Sequence, residues 1–249
     1  MEESLDQHLS RIATMWTLVC QANEASEGGA RSAQQQMLNR YGGAVRRYLQ
    51  GVVRDSDVAD DLFQEFALKF LGGKLKGADP ERGRFRDYVK GVLFHLIADY
   101  HKRRSKGGKP LPIDHPGLAV SEPSMLDVDR DFLTSWRDDL LARTWEALEA
   151  WQKESGQPFF SVLRFRADHA SMPSAQMAEQ LSANLGKTLT AANVRQLLHR
   201  AREKFADLLL DEVIHSLERP TPEQLECELD QLSLIEYCRP ALERRGQSQ

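Results

Sequence analysis

The sequence lacks several features that would place it in a secreted, metal-binding or membrane class. Its 249 residues include only three cysteines, Cys20, Cys227 and Cys238. They are too widely spread to form a C-x-x-C pair, and no histidine pattern for zinc lies near them. We therefore expect reduced thiols and no metal site. No apolar run approaches the roughly 20 residues that a membrane helix needs, so we expect no membrane span.

The signals of secretion and of catalysis are also missing. The chain begins with an acidic segment, Met1-Glu2-Glu3-Ser4, instead of the basic and apolar segments of a signal peptide, so we expect a cytoplasmic protein. Gly72 and Gly77 have the spacing of a phosphate loop, but Ala78-Asp79 stand where Lys and Ser/Thr are required. No H-E-x-x-H or G-x-S-x-G pattern occurs. We predict a protein that is not an enzyme and has no cofactor.

No run with the period-two alternation of a β-strand appears, so the predicted fold class is all-α. Gly and Pro divide the chain into two helical domains joined by a flexible linker. The predicted segments are an N-terminal extension (1–32), a first module (33–106), the linker (107–128), a second module (129–217) and a C-terminal tail (218–249).

Helical periodicity places the elements within these segments. A short amphipathic helix is expected over Ser4 to Gln21, and Gly28-Gly29 then breaks the helical pattern. Two helices are expected between Ser32 and Phe70, with Asp55-Ser56-Asp57 as the turn and cap between them. After a loop from Leu71 to Arg84, a further helix should run from Phe85 to Arg104.

The net charge of −4 conceals a segregated distribution. Between Arg82 and Lys109, nine Lys and Arg residues stand against Asp87 and Asp99, so 9 minus 2 gives +7. Such a patch is typical of a surface that binds a polyanion. From Pro222 to Glu236, by contrast, there are five carboxylates and no Lys or Arg, so the tail is a separate acidic element.

The helix that begins at Asp57 has one apolar and one acidic side when residues are set about 100° apart. The second side carries Asp57, Asp60, Asp61, Gln64 and Leu68. A solvated acidic face is the default explanation of this side. However, Leu68 is an apolar residue among carboxylates, as a surface that docks a partner would need.

The helix from Phe85 to Arg104 is predicted to bury Phe85, Val89, Val92, Leu93, Leu96 and Tyr100. Its polar side then carries Arg86, Asp87, Lys90, Phe94 and His101. An aromatic ring among cations suits unstacked bases, which stack on the ring while the cations neutralise phosphates. The alternative is that Phe94 packs beneath the preceding loop. The run Lys102-Arg103-Arg104-Ser105-Lys106 that follows also favours polyanion binding.

The second module contains the outline of a helix-turn-helix. Helices are predicted over Ser174 to Ala183 and over Thr190 to Leu210, with Ser174 and Thr190 as caps and a turn from Ser182 to Leu189 that contains Gly186. The outward side of the second helix carries residue types that read base edges in a major groove. They are Asn193, Arg195, Gln196, His199 and Arg200. An exposed polar face in an unrelated helical bundle is the alternative interpretation.

In this order, the motifs resemble conserved regions two and four of sigma-70 family factors, in the small two-domain form of the extracytoplasmic-function (ECF) class. Region two is resembled by Asp60-Asp61-Leu62-Phe63-Gln64-Glu65-Phe66, Gly83-Arg84-Phe85-Arg86-Asp87-Tyr88-Val89 and Asp99-Tyr100-His101-Lys102-Arg103-Arg104. Region four is resembled by Met177-Ala178-Glu179-Gln180-Leu181 and by the segment from Asn193 to Arg202. The resemblance covers roughly residues 33–106 and 136–215.

The resemblance implies roles for both modules. A docking face made of Asp61, Gln64, Glu65 and Leu68 would bind core RNA polymerase. The basic helix would melt and read the −10 element through Arg84, Arg86, Lys90, Phe94, His95, Lys102, Arg103 and Arg104. The helix-turn-helix would read the −35 element through Asn193, Arg195, Gln196, His199 and Arg200.

These features predict a sigma factor whose partners are core RNA polymerase and promoter DNA, with an anti-sigma factor as a further candidate partner. The first alternative is a helix-turn-helix regulator that binds DNA without polymerase, but it leaves the docking face unexplained. The second is a helical adaptor whose basic patch meets an acidic protein. It explains neither DNA-facing helix.

The tail is predicted to form an amphipathic helix from Pro222 to Tyr237, begun by Thr221-Pro222-Glu223. A helix of this length is marginal in water, so its leucine stripe must be buried. One interpretation is that the tail completes the core of the second module. A second hypothesis is that its carboxylates also lie near Arg195, Arg200 or Arg202 and lower the DNA affinity of the free protein.

Overall fold

A computed structural model of the chain describes residues 27–71, 84–106, 125–217 and 220–247. Every regular element in these ranges is an α-helix, which confirms the predicted all-α class. The helices are α1 (Glu27–Val53), α2 (Ser56–Leu71), α3 (Phe85–Lys106), α4 (Met125–Ser155), α5 (Phe159–Asp168), α6 (Ser174–Leu185), α7 (Ala191–Ser216), α8 (Pro222–Gln231) and α9 (Ile235–Gln247).

The described residues divide into two compact units. The amino-terminal unit comprises residues 27–71, 84–106, 125–139, 214–217 and 220–225. The carboxy-terminal unit comprises residues 140–213 and 226–247. The sequence analysis assigned residues 129–217 to the second module, whereas the structure groups the first half of α4 with α1, α2 and α3.

Aromatic packing explains why the first half of α4 belongs to the amino-terminal unit. Tyr41 of α1 stacks on Trp136 of α4, with ring centroids 4.7 Å apart. One turn away from Trp136, Phe132 meets the ring of Tyr48 edge-on at 5.3 Å. Burial raises the pKa of Tyr48 to about 12, with Asp131 and Asp129 adding to the shift, so this phenol is neutral at physiological pH. The aromatic side chains of α1 are thus packed against α4.

The predicted cap of α2 is confirmed, and the predicted buried side of α3 is confirmed in part. The Asp55 carboxylate accepts hydrogen bonds from the backbone N–H groups of Asp57 and Val58, at 3.1 and 3.2 Å, and thereby caps α2. The apolar side of α2 is buried at Ala59, Leu62 and Phe66, and that of α3 at Phe85, Val89, Leu93 and Leu96. Val92 and Tyr100, also predicted to be buried, are only half-buried.

Several predicted element boundaries are wrong. Helix α1 begins at Glu27 and runs through Gly28-Gly29, which therefore do not break it. Helix α4 begins at Met125, inside the predicted linker. The tail forms two helices instead of one, because Ser233 between them takes a left-handed φ of 57°. The predicted helix over Ser4 to Gln21 lies outside the described residues, as do nearly all of the predicted 71–84 loop and residues 107–124.

The two helices predicted for this segment are present as α6 and α7, although α6 ends at Leu185 and the turn between them is correspondingly short. Gly186 ends α6 with a left-handed φ of 61°, a conformation that glycine adopts without steric cost. The Ser182 hydroxyl accepts a hydrogen bond from the backbone N–H of Leu189 at 2.9 Å and so closes the turn. Thr190 caps α7 as predicted, but Ser174 is not a cap, because it is the first residue of α6.

Candidate nucleic-acid interface

The docking face on α2 is exposed as the helical wheel predicted. Asp61 and Gln64 are exposed, and Leu68 retains 71% of its accessible surface. A leucine this exposed contributes nothing to the core of the unit that carries it. It is available to a partner, and its burial would contribute on the order of 1–2 kcal/mol to an interface.

Glu65, the fourth residue of the docking face, is half-buried and already bound by two cations. Its carboxylate lies 2.8 Å from the Lys69 ammonium and 2.9 Å from the Arg103 guanidinium. Hydrogen bonds from Lys69 and then Arg103 lower the pKa of Glu65, so the carboxylate stays ionised. The Glu65–Arg103 pair joins a predicted polymerase contact on α2 to a predicted DNA contact on α3.

The outward side of α3 carries an aromatic pair among cations. Phe94 is 38% exposed, and its ring meets that of His95 edge-on at 5.9 Å. His95 and His101 are also exposed. Both members of the Phe94–His95 pair are therefore accessible to an unstacked base.

The predicted exposure of Arg86 is wrong. Its side chain is only 3% exposed, so the guanidinium cannot reach a phosphate in this conformation. On a wheel, Arg86 lies about 100° from Phe85, between Leu93 at about 80° and Ile97 at about 120°. Both of these neighbours are buried, so the buried stripe of α3 is wider than the sequence indicated.

Two further predicted DNA-contacting residues are partly buried or already paired within the protein. Arg84, at the start of α3, is half-buried. The Lys90 ammonium lies 3.0 Å from the Asp129 carboxylate of α4 and 3.9 Å from that of Asp87. Lys90 is therefore partly neutralised before any nucleic acid arrives.

The end of α3 presents Lys102, Arg103 and Arg104, all of them exposed. Arg103 donates from Nε to the Asp99 carbonyl at 3.3 Å, in addition to its pair with Glu65. Within the described part of the chain, the Arg104 guanidinium donates one hydrogen bond, to the Tyr100 hydroxyl at 3.3 Å. Arg104 therefore keeps its full charge without an acidic partner there.

The five predicted base-reading residues of α7 are all exposed, namely Asn193, Arg195, Gln196, His199 and Arg200. Two of them already have partners. The side-chain Oδ1 of Asn193 accepts hydrogen bonds from the Thr190 backbone N–H at 3.1 Å and the Thr190 hydroxyl at 2.7 Å, which makes Asn193 part of the helix cap. His199 lies 3.3 Å from the Glu203 carboxylate. Arg195, Gln196 and Arg200 are better placed to read a base.

The sequence-based reasoning missed Lys69 and Asp129. The spacing of Lys69 four residues after Glu65 is a recognisable ion-pair signal on a helix. Asp129 gave no such signal, because its contact with Lys90 spans the predicted linker between α3 and α4. Cys227 is exposed and Cys238 is buried, and neither forms a disulfide within the described residues, whereas Cys20 lies outside them.

In residues 27–71, 84–106, 125–217 and 220–247, no group of three or more His, Cys, Asp or Glu residues is arranged to hold a metal ion. None of the described helices is long and apolar enough to span a membrane.

Comparison with known proteins identifies one segment of the chain. Residues 37–107 match the family model for sigma-70 region 2, which includes α2, α3 and most of α1. No curated protein and no solved structure matches the chain. The match covers less than half of the chain, and it shows that this segment is similar to region 2 of sigma-70 family factors. Factors of this family initiate transcription and are not enzymes, in agreement with the sequence-based prediction.

Proposed function

We propose that this protein is a cytoplasmic sigma factor of the ECF class, which binds core RNA polymerase and directs promoter recognition and transcription initiation. The observation that carries the proposal is the region 2 match over residues 37–107. The same segment exposes an apolar residue among carboxylates on α2 and an aromatic pair among cations on α3. A protein that joins a polymerase to a promoter requires two separate surfaces.

In this proposal, the docking face binds the polymerase. Leu68 supplies apolar area, while Asp61 and Gln64 supply an acceptor and an amide around it. Interfaces commonly combine an apolar centre with such a polar rim. An anti-sigma factor would act by covering the same face, because a covered Leu68 cannot reach the polymerase.

The outward side of α3 would bind the melted strand of the promoter. The rings of Phe94 and His95 offer stacking surfaces, and Lys102, Arg103 and Arg104 neutralise phosphates. Stacking on an aromatic side chain is worth about 1–3 kcal/mol per base, which stabilises bases that have left the duplex.

Helix α7 would read the upstream promoter element. Arg195, Gln196 and Arg200 are exposed near its amino-terminal end, which is the part of a recognition helix that meets base edges. Arg suits guanine and Gln suits adenine in the major groove. This assignment rests on the helix-turn-helix geometry of α6 and α7 and on the resemblance to region four.

Association with purified core polymerase, followed by fluorescence anisotropy of the labelled full-length chain, tests the proposal. Asp61→Lys combined with Gln64→Ala should weaken association, and Leu68→Ala should weaken it up to about tenfold, given the apolar area it would bury. Glu154→Lys is the control, because it reverses a charge at an exposed site of α4 far along the chain from the docking face.

The outcomes separate the candidate functions. Core association that depends on the docking face, together with promoter-specific transcription, supports a sigma factor. A wild-type chain that binds DNA but not core polymerase is a regulator that acts without polymerase. Binding to neither would leave the adaptor as the remaining interpretation.

A further inference from the structure

Helix α7 carries its charges in two blocks. The first block, residues 191–202, contains three arginines, Arg195, Arg200 and Arg202, and no carboxylate. The second block, residues 203–216, contains four carboxylates, Glu203, Asp207, Asp211 and Glu212. The one Lys or Arg of the second block is Lys204, whose ammonium lies over the Trp151 ring at 5.2 Å.

The two blocks differ in their partners. Arg195, Arg200 and Arg202 are exposed, and no carboxylate in the described part of the chain forms an ion pair with them. Each carboxylate of the second block is instead paired with an arginine from another helix. The pairs are Arg143–Glu212 at 3.0 Å, Arg244–Glu203 at 3.6 Å, Arg244–Asp207 at 2.8 Å and Arg245–Asp211 at 2.8 Å.

Two of these arginines come from the last helix of the tail, which is firmly packed. Cys238 and Ala241 of α9 are fully buried, and the Tyr237 ring meets Phe205 of α7 edge-on at 5.9 Å. Arg245 also donates to the Asp207 carbonyl at 3.0 Å. Arg244 and Arg245 are therefore presented to α7 by an ordered helix.

We propose that Arg244 and Arg245 are positioning residues of the DNA-reading helix, which neutralise carboxylates that would otherwise repel DNA phosphates from Arg200 and Arg202. The proposal rests on the proposed function, in which α7 binds DNA. Glu203 follows Arg202 directly, and Asp207 lies about 10 Å along the helix from Arg200. The Debye length is about 8 Å at physiological salt and about 30 Å at 0.01 M salt. An uncompensated charge at Glu203 would therefore act on a phosphate at Arg202 at physiological salt, and one at Asp207 would act on a phosphate at Arg200 mainly at low salt.

The sign of this effect is opposite to that of the masking hypothesis. Masking requires tail carboxylates near the arginines of α7, and it predicts that the tail lowers DNA affinity. Among the described residues, the ion pairs between the tail and α7 have the opposite arrangement of charge: the tail supplies the arginines and α7 supplies the carboxylates. The tail should therefore raise DNA affinity.

The test compares full-length variants for binding to a short fluorescein-labelled duplex of mixed sequence, across a range of salt concentrations. Arg244→Gln with Arg245→Gln should lower affinity by about 2- to 10-fold at low salt, with the difference shrinking as salt is raised. The matched control is Arg239→Gln, because Arg239 lies on the same helix but pairs with Glu236 of α9 at 2.6 Å. It should leave affinity nearly unchanged.

Removing carboxylates from α7 shows whether Arg244 and Arg245 act by neutralising those carboxylates or only by supporting the fold. Asp207→Asn with Asp211→Asn should restore the affinity of the Arg244→Gln, Arg245→Gln protein, and alone it should raise the affinity above wild type. The second result keeps the proposal testable even if the arginine variant does not fold. Unchanged or tighter DNA binding by a folded arginine variant would overturn the proposal, as would no gain from the aspartate variant.

A further variant distinguishes failure of this proposal from failure of the proposed function. Arg200→Ala should weaken binding to the same duplex if α7 binds DNA. If Arg200→Ala has no effect, the DNA-reading role of α7 is refuted. If Arg200→Ala weakens binding to the duplex but Arg244→Gln with Arg245→Gln leaves that affinity unchanged, only the positioning role is refuted.

Discussion

Replacing Trp136 by Ala should destabilise the amino-terminal unit by about 3–5 kcal/mol, the usual cost of truncating a buried aromatic side chain. Trp136 is only 1% exposed. Its ring stacks on Tyr41 at an interplanar angle of 8° and lies 5.7 Å from the Phe132 ring. Since whole domains are stable by about 5–15 kcal/mol, this single change should remove a large share of the total.

Urea unfolding followed by circular dichroism measures the loss, and hydrogen–deuterium exchange locates it. Exchange should rise in α1 and in the first half of α4, and much less in α5, α6 and α7. Trp151→Ala is the control, because its ring stacks on Phe159 at 4.9 Å in the carboxy-terminal unit but is only half-buried. Large-to-small changes at a buried aromatic residue cost several kcal/mol of unfolding free energy. If Trp136→Ala lowers the free energy of unfolding by less than about 1 kcal/mol, the assignment of the first half of α4 to this core is refuted.

Three further predictions concern the nucleic-acid interface. Phe94→Ala should impair promoter opening, followed by permanganate footprinting, with little change in salt dependence, because a stacking contact worth about 1–3 kcal/mol carries no charge. Normal opening would show that the ring is merely packed. Arg104→Gln should reduce the slope of log affinity against log salt by up to about 0.7–0.9, and Arg103→Gln by less, because Arg103 is already paired with Glu65. Equal slopes would contradict this ranking. Arg200→Ala should relax preference at one base position by about 1–3 kcal/mol in a randomised library, whereas a uniform loss would identify a phosphate contact.

Local periodicity was sufficient to predict the exposed and buried sides of α2. Asp61, Gln64 and Leu68 are exposed and Leu62 and Phe66 are buried, as a wheel centred on the apolar residues indicates. The cap at Asp55 was equally predictable, because capping depends on residues adjacent in the chain. The docking face could therefore be placed from the sequence, while its role stays a prediction.

Contacts between distant segments explain what the sequence did not predict. Arg86 is buried although the wheel left it to solvent, and Lys90, about 40° from it on the wheel, pairs with Asp129 of α4. Because α4 begins at Met125, after a stretch with linker composition, no local pattern indicated the contact between Lys90 and Asp129. The same holds for the tail, where Ser233 breaks the helix without the glycine that usually marks a left-handed position.

The adjacent glycines at 42 and 43 in α1 have a consequence for attempts to stabilise the protein. Replacing a helical glycine by alanine commonly adds about 0.4–1 kcal/mol of stability, because it reduces the freedom of the unfolded chain. At Gly42 a methyl group would lie 3.1 Å from the Phe63 ring, and at Gly43 it would overlap the Asp139 carboxylate that pairs with Arg47. A designer should therefore leave this pair intact and look to Gly51, where a methyl group would meet open space.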